Sequence, residues 1–269
     1  WPLWGTLLVA ATGGLLVGRR VGGAGHPLFL LLLLLMILVA TTEVATDGWI
    51  TPIMAKTMGE LGSHPAWVLA YTAALTGGVR LCAGPLIRRF TPLWILCGSC
   101  VISAFALVLF AESTAWGILV AATLFGLGKA FLWPTMLGVT ADRFPEGGAV
   151  AINAMGGVGM LSVGVLSTVA LGTLVDGRVV DQLRSTDARF GPWVRELPGM
   201  FGMRPAVDRD ALAQVSDPEI LREMQEILTA TTAAVRQESL MTVAWVPAVL
   251  AFAFVALAVL WQRGAEPRR

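Results

Sequence analysis

Residues 27–55 read PLFLLLLLLMILVATTEVATDGWITPIMA. From Leu28 to Ala40 no polar residue occurs. A bilayer core is crossed by ~20 mainly apolar residues in a helix, and this stretch meets that length. It then runs into two carboxylates, Glu43 and Asp47. Working outward, six further stretches are long and apolar enough to span: residues 1–18, 65–86, 92–111, 114–140, 149–175 and 240–261. The fold class expected is an all-α membrane protein.

Composition agrees. Of 269 residues 56% are hydrophobic and 14% charged, with mean hydropathy +0.73. Soluble domains carry roughly 25% charged residues. A net charge of +1 with no basic face argues against a nucleic-acid partner. Cys82, Cys97 and Cys100 lie in apolar stretches and read as buried thiols. His26 and His64 are the only histidines, so no metal cluster is expected. No Ser-His-Asp set and no phosphate-binding loop occur, so neither an enzyme nor a cofactor is expected. The chain starts at Trp1 without a basic leader, and residues upstream of it are expected.

Breakers separate the spans: Gly22 to Pro27, Thr91-Pro92, and Pro145-Glu146-Gly147-Gly148. If the spans alternate, Arg19, Arg20, Arg88, Arg89, Arg143, Arg263, Arg268 and Arg269 share one side. The positive-inside rule makes that side cytoplasmic, together with the tail 263–269. Residues 176–239 then form an extracytoplasmic insert with eight arginines and eleven acidic residues. Within it, Ser216 and Glu219 have capping-box spacing with Pro218 between them, which predicts a helix over about 218–237.

A charge at the bilayer centre costs ~2.5–3.5 kcal/mol on insertion scales, so charges inside spans face a bundle interior or a watery cavity. Glu43 and Asp47 are four residues apart and share a helical face. Two close carboxylates in a low dielectric titrate as a coupled pair, which suits proton loading and unloading. Lys129 sits in Gly126-Leu127-Gly128-Lys129-Ala130-Phe131-Leu132-Trp133-Pro134, where glycine and proline loosen the helix near mid-membrane. Counting ~1.5 Å per residue places Lys129 and Glu43 roughly 10 Å apart in height. Which carboxylate Lys129 meets stays open. Trp49 and Trp133 offer ring faces to a sugar-like or nucleoside-like solute, and Asn153 offers hydrogen bonds.

Residues 77–90, GGVRLCAGPLIRRF, resemble a degenerate form of the Gly-x-x-x-Asp-Arg-x-Gly-Arg-Arg loop of the major facilitator superfamily. Gly77, Arg80, Gly84, Arg88 and Arg89 carry the likeness, and the acidic residue is absent. Residues 126–144, with Trp133-Pro134-Thr135, look like that family's tenth helix, and residues 147–164 like its glycine-rich eleventh. Glu43–Trp49 resembles helix seven of the fucose–proton symporter group. The resemblance implies a six-helix C-terminal bundle plus one preceding helix. Residues 1–18 would be helix six, 27–175 helices seven to eleven, and 240–262 helix twelve. Helices seven and ten would line a cavity for a small polar solute, a missing N-terminal six-helix half would supply the other wall, and the lipid bilayer would surround both. Arg80 would belong to a gating loop. A seven-helix membrane receptor or another non-transporting membrane protein is the alternative; a retinal protein needs a lysine in its last helix, and residues 240–261 contain none.

Overall fold

The computed structural model describes residues 26–48, 50, 62, 64, 66–113, 116–199 and 202–264. The expected first span (1–18), Arg19, Arg20, Trp49, Arg268 and Arg269 lie outside them. Among the described residues five helices are long and apolar enough to cross a membrane: Pro27–Gly48, Pro92–Glu112, Trp116–Arg143, Pro145–Thr186 and Pro218–Gln262.

Helix α1 (Pro27–Ala40) is apolar on every side. Such a helix has no face for water and suits a site with bundle on one side and lipid on the other. Phe29, Leu32, Leu35, Met36 and Val39 are buried, while Leu30, Leu31 and Leu34 are exposed. Its last turns widen into a π-helical segment, Thr41–Ala45, which carries Glu43.

The expected span 65–86 is shorter than its composition suggests. Helix α2 (Ala66–Leu81) holds 16 residues. A bend at Ala83 leads into α3 (Gly84–Arg89), because Pro85 sits in the first turn of a new helix and cannot continue the old one. Helix α4 (Pro92–Glu112) also begins on proline.

The expected span 114–140 is two helices, α5 (Trp116–Lys129) and α6 (Leu132–Arg143), joined at Ala130 and Phe131. Helix α7 (Gly148–Leu161) passes through a second π-helical segment, Ser162–Ser167, into α8 (Thr168–Thr186). Thus α8 runs on past Val175, where the sequence reading placed the start of a loop.

The insert contains a hairpin that the sequence reading did not anticipate. Strands β1 (Val194–Gly199) and β2 (Gly202–Val207) pair antiparallel, with Gly199 opposite Gly202. A short helix α9 (Arg209–Leu212) leads to α10 (Pro218–Val243) and α11 (Trp245–Gly264). The N-cap of α10 is Asp217, one residue later than the expected Ser216. Its carboxylate accepts from the N–H of Glu219 at 2.9 Å and of Ile220 at 3.3 Å.

Four apolar clusters hold these elements, the smallest built on Phe29 of α1 and Ala151 of α7. Leu32 and Met36 of α1, Leu96 of α4, Met136 of α6, Met155 of α7 and Phe254 of α11 form one. Phe110 of α4, Phe125 of α5 and Val243 of α10 anchor the second. Here α4 and α5 approach so closely that a side chain on Gly128 would lie 2.6 Å from Ser103 Oγ. The third cluster belongs to the insert: Val179 and Leu183 of α8, Phe190, Leu212, and Met224 and Leu228 of α10. Polar clamps fix it. Arg204 of β2 pairs with Asp176 of α8. Arg178 donates to Ser239 Oγ and Thr242 Oγ1, each at 3.0 Å. Gln237 Nε2 donates to the carbonyls of Phe110 and Ser113, satisfying the C-terminal end of α4. Arg189 joins Asp187 to Glu223, and its side-chain and backbone hydrogen bonds hold the Asp187 carboxyl below the usual carboxylate range.

Candidate functional site, a charged cluster at a broken helix

The break between α5 and α6 follows from one residue. Pro134 has no N–H, so the carbonyl of Ala130, four residues earlier, loses its helical donor. A bare carbonyl in apolar surroundings is costly, roughly 1–3 kcal/mol. Arg80, from the last turn of α2, supplies the donor: its Nε lies 2.7 Å from Ala130 O. The N–H of Trp133 is likewise left over at the start of α6. It donates to Glu43 Oε2 at 2.9 Å. Glu43 Oε1 in turn accepts from Arg80 Nη2 at 2.7 Å. One ion pair, drawn from α2 and the π-helical segment after α1, therefore plugs both open ends of the broken helix.

A second pair lies one turn along. Lys129, the last residue of α5, is buried, and its Nζ lies 2.6 Å from Asp47 Oδ1. The same ammonium sits 5.5 Å from the centre of the Phe125 ring, whose negative face adds to its stabilisation. Side-chain exposure is 10% for Glu43 and 6% for Lys129 but 40% for Arg80 and 31% for Asp47. Each pair thus has one enclosed member and one that reaches toward open space. Two cations balance two carboxylates.

The sequence reading treats Glu43 and Asp47 as a coupled carboxylate pair and leaves the partner of Lys129 open. The structure gives each carboxylate its own cation: Arg80 for Glu43, Lys129 for Asp47. Arg80, expected in a gating loop, sits in the cluster. Its former motif companions do not: Gly77 and Gly84 are exposed, and Arg88 and Arg89 project from the last turn of α3. Trp133 lends the cluster its backbone N–H, whereas its ring packs on Gly159 of α7, where a Cβ would fall 2.6 Å from it. Asn153 is exposed on α7. Trp49 lies outside the described residues.

No protein-family model, curated protein or solved structure matches this chain.

Beside the charges lies a hydroxyl seam that the sequence reading missed. The two π-helical segments, Thr41–Ala45 and Ser162–Ser167, face each other. Thr41 Oγ1 and Ser167 Oγ lie 2.5 Å apart, and the carbonyl of Ile37 accepts from both Thr41 Oγ1 at 2.8 Å and Ser162 Oγ at 3.2 Å. Single π turns inside α-helices widen the backbone and recur at functional sites. The available signal was the spacing of five between Ser162 and Ser167, the hydrogen-bond spacing of a π turn. Among the described residues, no three His, Cys, Asp or Glu side chains are gathered as metal ligands are.

Proposed function

We propose that this chain is part of a secondary active transporter of the major facilitator type, moving a small polar solute such as a sugar or nucleoside by alternating access with proton coupling. Its six-helix part and one preceding helix would work against a second six-helix half. The observation that carries the reading is the pair of ion pairs inside apolar helices, placed where one helix is broken and another is widened. Charges in such positions are costly even when paired, and their retention points to a solute or proton pathway. Broken helices near mid-membrane are a recurring way to present backbone and charge to a solute. In this mechanism Lys129 and Arg80 hold the carboxylates in the resting pairs. A proton taken up by Asp47 or Glu43 weakens its pair, frees the cation and lets the joint at Ala130-Phe131 flex. Loss of the proton restores the pair and resets the joint. The arginine-rich ends, with the C-terminal tail, would face the cytoplasm of a cell or inner membrane.

The test is solute uptake by the intact protein in cells. Glu43→Gln and Lys129→Ala variants that reach the membrane at wild-type abundance are expected to lose uptake by tenfold or more, the equivalent of ~1.4 kcal/mol. Wild-type uptake in both would refute the assignment of these residues to a transport site.

A further inference from the structure

The N-terminal end of α4 and the C-terminal ends of α6 and α11 meet at the end of the bundle away from the insert. They surround a cleft of about 460 Å³. Its floor is apolar, made by Leu93, Val139 and Ala258. Its mouth is polar, with Thr91, Asp142 and Arg143 beside Trp261. The guanidinium of Arg143 lies 3.6 Å from the centre of the Trp261 ring. Stacking of this kind fixes the plane of the cation and leaves its N–H edges free to donate. Neither Arg143 nor Asp142 takes part in an ion pair among the described residues. The α4 N-terminus adds partial positive charge, and no side chain caps it: Thr91 makes no capping hydrogen bond.

These features fit a particular shape of ligand. The cleft lies where the long apolar helices end, which in a bilayer would set it at the level of lipid headgroups, where tryptophan is at home. A free phosphate would gain nothing from the apolar floor. A chain without a headgroup would leave the cation and the carboxylate unused. Arg143 and Asp142, side by side in sequence, ask for one negative and one positive group on the same ligand.

We propose that this cleft binds an aminophospholipid. Its phosphate lies against Arg143 and Thr91 at the head of α4, its ammonium against Asp142, and the first methylenes of one acyl chain on Leu93, Val139 and Ala258. The proposal rests on membrane placement alone and not on transport.

The test uses the protein purified in mild detergent and moved into nanodiscs of phosphatidylethanolamine, phosphatidylglycerol or phosphatidylcholine, with lipid retention read by native mass spectrometry. One phosphatidylethanolamine per chain is expected to persist under activation that strips the other two. Arg143→Gln is expected to weaken its retention roughly tenfold, since a charge-assisted contact to phosphate is lost. Asp142→Asn is expected to keep phosphate binding but erase the preference for phosphatidylethanolamine over phosphatidylglycerol. Should Arg143→Gln fail to fold, Thr91→Val on the rim replaces it, with weaker retention again expected. Equal retention of all three lipids by the wild-type protein overturns the proposal. So does wild-type retention in Arg143→Gln, or in Thr91→Val where that stands in for it. Displacement of the lipid by millimolar inorganic phosphate would mark a free-anion site and overturn it as well.

Discussion

Replacing Arg80 with alanine removes two contacts at once. The hydrogen bond to Ala130 O goes, and with it the ion pair to Glu43. The carbonyl then stands without a donor, at roughly 1–3 kcal/mol. Breaking an enclosed ion pair costs ~3–5 kcal/mol, but Arg80 is 40% exposed, so solvent screening reduces that part to about 1 kcal/mol. The expected loss for Arg80→Ala is about 2–4 kcal/mol. Glu43→Gln should cost less, about 1 kcal/mol, because the amide oxygen still accepts from the Trp133 N–H. Two double variants separate the contributions. Arg80→Ala with Glu43→Gln should fall short of the sum, since the first change already removes the partner of the second. Arg80→Ala with Pro134→Ala should recover about 1 kcal/mol, because residue 134 regains an N–H that can reach Ala130 O. The assay is reversible unfolding of the purified protein in mixed detergent micelles with increasing SDS, followed by tryptophan fluorescence. A loss below about 0.5 kcal/mol for Arg80→Ala would refute the claim that Arg80 closes the broken helix. Pro134→Ala giving no recovery would refute the proline as the cause of the break.

The same assay tests the α4–α5 crossing. Ser103 Oγ is buried without a hydrogen-bond partner among the described residues, so Ser103→Ala should be neutral or stabilising by up to about 1 kcal/mol. Gly128→Ala should cost about 1–3 kcal/mol, because its Cβ would lie 2.8 Å from the Ser103 backbone N, and backbone yields less than a side chain. In the insert, the Asp187 carboxyl is held below its ordinary 3.8 by Arg189. Its contribution is therefore complete above that value and is lost as pH falls through the lower folded value. Amide exchange of residues 187–193 should accelerate on acidification below about pH 4, and Arg189→Ala should remove that pH dependence.

Membrane character was legible in the sequence because it depends on composition over ~20 residues, which no tertiary contact can reverse. The charges were legible for the same reason: Glu43, Asp47 and Lys129 stand out against apolar neighbours. Their pairing was not. Depth counting assumes an unbroken rise of ~1.5 Å per residue. The chain departs from that rise at Thr41–Ala45, where the turn widens, and at Ala130-Phe131, where the helix parts. Each departure rotates and shifts the side chains beyond it, so depth alone left the partner of Lys129 open, and the structure pairs it with Asp47. Arg80 escaped for a different reason. Read along the chain, it belongs to the arginines of a loop, but α2 ends only after it, at Leu81, and its side chain reaches Ala130 O and Glu43. The insert hairpin was hidden by its own composition, since Pro198 and Pro205 sit within strands and argue locally against them. A two-stranded hairpin tolerates them because each strand is an edge, and packing of β2 against α8, with the Arg204–Asp176 pair between them, provides the missing stability. The proline that matters most, Pro134, was visible from the start as a kink. Its consequence lay in a rule that local patterns do not express: every backbone group it frees must find a partner, and the partners came from α2 and from the turn after α1.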